Sequence, residues 1–513
     1  MAAIITDQIR ILNAKNFVAG INTSNSYYSF IGLPNPTDVQ SDWNTNPPTP
    51  RDSFDEENNY WDTMIALKKI NSSDIRHVIK KRFWSSGTSY DMYRHDYSIA
   101  KSSGPTNLYS SNYYVINSDY RVYICLYNGV VPDNGFIPGP SLDEPTFTDL
   151  EPRSAGSSGD GYIWKYLYTI KPSEIVKFET ADFISVPANW ETSSENAAVR
   201  NNAVDGSIKI VTITNRGADI GVANAIYTGV PIRGDGTGAQ CTITIGADKK
   251  VESIVVSNQG SGYTYGRVDL VAGNVPAGSV TPTFDVIISP KGGHGADIYR
   301  ELGAYNVLLY SRIENDILNP DFITGNQFAR IGIVQNPTVS SGSLLSAEKA
   351  SATYALKLTG AGSSSATFTP DSYFTQTVAT GTTAVGRVVS YDQTTGVLKY
   401  WQDRTFVGFT TSGTQVANPQ YGFDLVEFTS SPSAGGSLTI VPTSGSNLSI
   451  DNTFTGNRTT INSRTYYLGQ EFTSGLASPE VKKHSGNIIY VDNRPSITRS
   501  PIQKEDIKVI LQF

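Results

Sequence analysis

The last thirty residues, His484 to Phe513, carry two strand signals with a proline turn between them, and they constrain the fold more than any other stretch. Asn487 to Val491 is a β-branched and aromatic run closed by Asp492-Asn493-Arg494-Pro495. Pro495 removes a donor and pushes Arg494 out of the helical region, so the run predicts a strand, a stop and a turn. Ile507, Val509, Leu511 and Phe513 then alternate with Lys508, Ile510 and Gln512, the period of a half-buried strand. Such an ending is expected to lie inside a sheet, because free termini fray unless tied down.

A chain of 513 residues is long enough for three or four domains, each with its own core. Lys plus Arg minus Asp plus Glu is 40 − 47 = −7, which argues against a general affinity for nucleic acid or anionic membrane. Only 17% of residues are charged, whereas 45 glycines and 29 tyrosines favour tight turns and strands, so a mainly β protein is expected. Cys125 and Cys241 stand in no paired motif, which gives neither a disulfide framework nor a zinc site and suits a reducing cytoplasm. The opening Met1 to Asp7 has no basic start, and no run of about eighteen apolar residues occurs. Neither a secretion signal nor a membrane span is expected.

In chain order, Thr6 or Asp7 caps a short helix with Ile9 and Leu12 on one side, and Tyr27 to Gly32 reads as a strand. Pro34 to Pro50 is a proline-rich loop. A second helix begins near Asn58-Asn59, with Trp61, Met64, Ile65 and Lys68 at helical spacing on a core-facing stripe. Arg76, His77, Lys80, Lys81 and Arg82 crowd one short strand, read as a solvated face or a protein interface in preference to a nucleic-acid site. Tyr113 to Ile116 and Tyr120 to Tyr127 form a hairpin, in which Arg121, Tyr123, Cys125 and Tyr127 make the more polar face. Gly159-Asp160-Gly161 turns into the aromatic strand Tyr162 to Ile170, where Trp164, Tyr166 and Tyr168 share one face and Pro172 ends the run.

Ile210-Val211-Thr212-Ile213-Thr214-Asn215-Arg216-Gly217 is echoed 43 residues later by Ser253-Ile254-Val255-Val256-Ser257-Asn258-Gln259-Gly260, a duplicated β unit. Strands are expected again at Asn306 to Arg312 and Ala329 to Val334. Between Val339 and Ser478, a Ser-, Thr- and Gly-rich stretch carries further strands at Tyr354 to Leu358, Gly386 to Tyr391 and Val397 to Trp401. Asp392 to Gly396 is the turn joining the last two, and the stretch suits a small barrel or sandwich.

Two boxes carry a family resemblance. Gly159-Asp160-Gly161-Tyr162-Ile163-Trp164-Lys165-Tyr166-Leu167 and His484-Ser485-Gly486-Asn487-Ile488-Ile489-Tyr490-Val491-Asp492-Asn493-Arg494-Pro495 closely resemble, in the same order, those of the wedge subunit known as gene product eight in the baseplates of T4-like contractile-tailed phages. The resemblance covers residues 1 to about 196, 295 to 338 and 479 to 513. The 43-residue repeat is similar to a small β repeat widespread in the tail proteins of marine phages, and the two resemblances together imply a marine or cyanobacterial phage. The family implies a discontinuous two-domain β-sandwich core, mainly β with a few short helices, here carrying two inserted small β modules. Mapped onto this chain, 1–80 opens the outer domain, 81–196 is the inner domain, 197–294 the duplicated module, 295–338 a return to the core, 339–478 the second module and 479–513 the closing strands. The closing strand at Phe513 would pair with strands from the first eighty residues.

Enzymatic readings fare poorly. His77, His95, His294 and His484 stand in no ligand spacing, and each is read as a packing or surface residue. There is no GxSxG elbow, and Asp55-Glu56-Glu57 and Asp143-Glu144 read as solvated loops before a glycosidase pair. Gly234-Asp235-Gly236-Thr237-Gly238 lacks the Lys and hydroxyl of a phosphate loop, and Asp235 alone is a weak calcium ligand. No catalytic, cofactor or metal residue is expected. The resemblance implies a virion structural protein, assembled in the host cytoplasm and working by shape. It would pair as a homodimer within each wedge and join counterparts of gene products six, seven and ten, with no nucleic acid or membrane partner. Gly159, Asp160, Gly161, Tyr162, Trp164, Tyr166, His484, Ser485, Gly486, Tyr490, Asn493, Arg494 and Pro495 are the motif positions, serving either an interface or the subunit's own core. An alternative from another class makes the inserted modules host-surface binders, with Tyr263, Tyr265, Tyr400 and Trp401 stacking on sugars.

Overall fold

The computed structural model describes residues 6–21, 23–98, 107–130, 138–402, 407–409, 415–417 and 426–513. The chain is mainly β, with a few short helices. It divides into two compact units: Met1–Val18, Ile75–Leu308 and Val509–Phe513 make the first, Ala19–Asp74 and Leu309–Lys508 the second.

The first unit is built on an antiparallel sheet of Tyr114–Ile116, Arg121–Asn128 and Tyr162–Thr169. The alternation in Arg121–Asn128 does not produce a polar face. Tyr123 and Cys125 are both 0% exposed, and Tyr123 satisfies its hydroxyl by donating to the Phe147 carbonyl at 2.5 Å. A tyrosine with a partner for its oxygen buries like a phenylalanine, which a polar–apolar count misses. The three rings of the next strand do not share one face either. The register slips at Leu167, so Tyr166 lies opposite Tyr123 while Tyr168 lies opposite Val122, and Tyr168 packs instead on Trp190 with ring centroids 6.4 Å apart.

The helix Asp7–Gly20 begins with the Thr6 hydroxyl accepting from the Ile9 amide at 3.4 Å. Ile11 and Ala14 are its buried residues, whereas Ile9 and Leu12, read as sharing one side, are 46% and 54% exposed. The duplicated unit appears as Ile208–Asn215 and Val251–Asn258, whose first and last residues keep the 43-residue offset. Val251–Asn258 ends a four-stranded sheet with Gln240–Ile245, Ile226–Gly234 and Gly266–Val268, while Ile208–Asn215 pairs only with Thr283–Ile288. Ile208, Val230, Cys241, Ile243 and Val251 fill the centre of this module.

In the second unit one sheet runs in the order Lys349–Ser351, Met64–Ile70, Tyr27–Gly32, Gln327–Gln335, Asn487–Thr498. The expected helical stripe stops short. The helix is Phe54–Thr63, capped by the Ser53 hydroxyl accepting from Glu56 N at 3.3 Å, and Met64, Ile65 and Lys68 belong to a strand paired with Tyr27–Gly32. Periodicity alone does not separate a short apolar strand from a helical face, and cross-strand pairing decides it here.

The predicted turn at Asp492 to Pro495 is absent as well, because Asn487–Thr498 is one continuous strand. It lies at the sheet edge, and the register slips beside Pro495, with Arg330 opposite Asn493 and Phe328 opposite Ile497, so the proline sits in a bulge where its missing donor is not needed, and the extended backbone forced on Arg494 is that of a strand. The last strand, Lys504–Gln512, lies beside Asn306–Glu314, not beside a strand from the first eighty residues. Phe513 donates its amide to Tyr305 O at 3.2 Å and packs on Phe17 at 5.2 Å between ring centroids.

Also in the second unit, Val397–Trp401, Thr382–Asp392, Tyr373–Ala379, Thr439–Val441, Leu448–Ile450 and Tyr354–Thr359 follow one another around a sheet that closes when Tyr354–Thr359 pairs back onto Val397–Trp401. Closure removes both edges. Leu356, Phe374, Leu398, Tyr400, Phe428 and Ile440 fill its interior. Among the described residues no helix is long and apolar enough to cross a membrane.

Candidate functional site

The two sequence boxes lie in different units. In the first unit Gly159 and Gly161 hold φ of +71° and +81°, the left-handed conformation a tight turn needs. Asp160 sits between them and ties the turn to a neighbouring loop: Oδ1 accepts from Tyr162 N at 3.0 Å and Oδ2 from Leu142 N at 2.8 Å. Tyr162 is 0% exposed; its hydroxyl donates to Gly139 O at 2.6 Å and accepts from Tyr90 N at 3.0 Å. Trp164, also fully buried, stacks on the Tyr162 ring at 5.5 Å and meets Tyr90 edge-on at 5.6 Å. Half-buried Tyr166 packs on Tyr123 at 5.8 Å and shares a 2.8 Å hydrogen bond with the Thr169 hydroxyl. Burial pushes the Tyr162 phenol above its ordinary range.

In the second unit His484 and Gly486 take φ of +60° and +73° and lead the chain into the edge strand. A Cβ at Gly486 would stand 2.3 Å from Gln335 O, so only glycine fits. The His484 ring lies 6.2 Å from the buried ring of Trp61, and its Nε2 is 3.7 Å from Asp62 Oδ1. Ser485 donates to Lys482 O at 2.5 Å and accepts from Thr338 N at 3.0 Å. Tyr490 is half-buried, its phenol pushed up by burial. The Arg494 and Pro495 side chains are exposed, Arg494 Nε reaching Asp492 Oδ2 at 2.5 Å, while the Arg494 carbonyl accepts from Trp43 Nε1 at 2.8 Å.

Asn493 leads to a residue the sequence reading passed over. Its Oδ1 accepts from Arg330 Nε at 3.1 Å and its Nδ2 donates to Pro48 O at 2.8 Å. Arg330 is 0% exposed and spreads its guanidinium over Asn493, Thr63 Oγ1 (2.6 Å), Asn59 Oδ1 (3.4 Å) and Asn35 Oδ1, between the rings of Trp43 (5.0 Å) and Tyr60 (5.3 Å). One side chain thereby fastens the edge strand, its neighbour, the Phe54–Thr63 helix and the proline-rich loop. Burial lowers its pKa to about 10. The only sequence signal was a charge inside the apolar run Ala329 to Val334.

Elsewhere the charged and aromatic candidates have structural partners. Arg76 makes a bidentate pair with Glu174, both bonds at 2.8 Å, Lys81 pairs with Glu179, and Arg82 lies 4.4 Å over the Tyr114 ring. His77 is buried against Tyr299, and His294 against Tyr93 and Glu301. Of the four aromatics offered for sugar stacking, Tyr263, Tyr400 and Trp401 are each 3% exposed and only Tyr265, at 62%, faces solvent. Asp235 braces its turn by accepting from the Thr264 hydroxyl at 2.5 Å and from Thr264 N at 2.9 Å, which keeps its carboxyl below the usual range. Among the described residues no group of three or more His, Cys, Asp or Glu is placed to hold a metal.

Residues 3–149 match the family model described as Bacteriophage T4, Gp8. Over 216 residues the chain is 26% identical to the baseplate wedge protein gp8 of Enterobacteria phage T4, a stretch that covers 36% of this chain and 60% of that protein. Both sequence boxes lie beyond the residues matched by the family model. What the chain is similar to is a baseplate wedge protein, of which it spans 60% of the length.

Proposed function

We propose that this chain is a structural subunit of a phage contractile-tail baseplate wedge. It is carried into the virion, assembled from the host cytoplasm, and works by shape and interfaces with no catalytic step. The match of residues 3–149 to the T4 Gp8 model carries the reading. In this proposal the chain pairs as a homodimer and links neighbouring wedge proteins, counterparts of gene products six, seven and ten. It moves with them when the baseplate rearranges on infection. Two compact β units, each with its own apolar core, suit a part that works by shape and contact.

The test is the mass of the purified chain in solution, alone and mixed with those neighbours. A dimer that enters a larger complex of fixed stoichiometry supports the reading. A monomer that ignores all of them sinks it.

A further inference from the structure

Three polar side chains of the second unit are buried without partners. Asp321, Lys399 and Gln470 are 1%, 5% and 0% exposed, and neither carboxylate oxygen of Asp321, nor Lys399 Nζ, nor Gln470 Oε1 has a hydrogen-bond partner. A buried charge left unpaired is among the costliest features a fold can carry, and one of each sign in the same place needs a physical reason.

The strands bring the three together. Leu398 and Tyr400 fill the interior of the closed sheet, so Lys399 between them leaves on the outer face, the side on which Val397 packs with Leu468 and Phe472. Gln470 lies between Leu468 and Phe472 in the strand Arg464–Phe472 and shares their face. Its Nε2 is fixed by Thr353 O at 2.7 Å and Ser478 O at 3.2 Å, which leaves Oε1 as the unanswered acceptor. Asp321 comes from the loop ahead of Gln327–Gln335, and its Oδ1 is 3.4 Å from where a Cβ on Gly469 would stand. Glu480 stands at the rim, part of it exposed, with Oε2 accepting from the amide of buried Ser351 at 2.7 Å. Lys399 interacts electrostatically with both Asp321 and Glu480, and Glu480 with Asp321.

Burial lowers the pKa of Lys399 and raises that of Asp321. The pair is thereby pushed toward a neutral amine and a carboxylic acid, a nucleophile and an electrophile, where water would hold an ammonium and a carboxylate that do not condense. Burial of its carboxylate raises Glu480 to about 7, which suits a group that takes up and returns a proton near neutrality.

We propose that Lys399 and Asp321 condense into an intramolecular isopeptide bond, with Glu480 relaying the proton. Lys399 Nζ attacks Asp321 Cγ, Glu480 accepts the proton that the nitrogen sheds and passes it to the departing hydroxyl, and one water leaves. A C–N bond replaces a C–O bond with no change of oxidation state, so the step needs no co-reactant. The flexible four-carbon stem of lysine swings the nitrogen onto the carboxyl carbon from a fixed strand. The product removes both buried charges, and its N–H supplies a donor for Gln470 Oε1. It ties Val397–Trp401 of the closed sheet to the loop that leads into Gln327–Gln335, a covalent brace inside the second unit. The bond stands on this cluster, whether or not the chain assembles in a baseplate.

The test is the intact mass of the purified, denatured chain, followed by peptide mapping. The chain is expected to be lighter than its sequence by one water, about 18 Da, and its digest to hold a branched peptide joining Asp321 to Lys399. Asp321→Ala and Lys399→Met each restore the full mass, and Glu480→Gln slows the conversion about a hundredfold. A parent chain of full mass, with Asp321 and Lys399 in separate linear peptides, overturns the proposal whatever the variants do. So does a lost water that maps to any other pair of residues, and a Glu480→Gln chain that converts as fast as the parent overturns the role given to Glu480.

Discussion

Asn493→Ala is the substitution that most sharply questions the Arg330 hub. It deletes the 3.1 Å bond accepted from a buried guanidinium and the 2.8 Å bond donated to Pro48 O. A hydrogen bond to a charged group contributes about 1.5–3 kcal/mol and a neutral one about 0.5–1.5, so the loss is about 2–4 kcal/mol. With a urea slope of ~2–3 kcal/mol/M, the midpoint falls by about 1 M. Hydrogen exchange of Gln327–Gln335 under urea isolates the transition of the second unit. Arg494→Ala, one position along, removes only an exposed ion pair and is expected to leave the midpoint in place. An Asn493→Ala chain that unfolds with the parent, or an Arg494→Ala chain destabilised as much, refutes the reasoning that Arg330 and Asn493 hold this sheet to its loop.

Gly486→Ala places a Cβ 2.3 Å from Gln335 O at φ +73° and is expected to lower the melting temperature steeply, whereas Gly159→Ala, with open space at φ +71°, costs only backbone strain of about 1 kcal/mol; equal melting shifts would contradict this. His77 is held neutral by burial, its pKa lowered to about 4. The unfolded chain takes up that proton first, so stability falls as pH drops from about 6.5 to about 4, by about 3 kcal/mol in all, and His77→Phe flattens that part of the pH profile measured by urea unfolding. Burial pushes the Cys241 thiol up to about 12 and raises that of Cys125 as well. Neither is expected to react with a maleimide at pH 8 until the chain is denatured, and mass spectrometry of the labelled native chain checks it.

What the sequence made legible was the β character and the short aliphatic and aromatic runs that read as strands, such as Val397–Trp401 and Tyr27–Gly32, in which every residue is buried. Readings failed where a local rule met a tertiary context it does not contain. Pro495 reads as a stop until its strand is placed at a sheet edge, and Met64 reads as helix until Tyr27–Gly32 pairs with its strand. Cys125 looked half-polar because its tyrosine neighbours were counted as polar, although their hydroxyls find partners and their rings bury. In the boxes the glycines were the clearest signals, since a positive φ or a close backbone approach is written in the residue type itself. Arg330 was not legible, because its four acceptors come from residues 35, 59, 63 and 493, far apart in the chain and each unremarkable alone.

Quantitative peptide mass spectrometry of isolated baseplates from purified phage particles decides whether this chain is a baseplate component. Peptides of this chain are expected in the baseplate fraction at a fixed ratio to the other wedge proteins. Peptides confined to capsid, sheath or fibre fractions would contradict it.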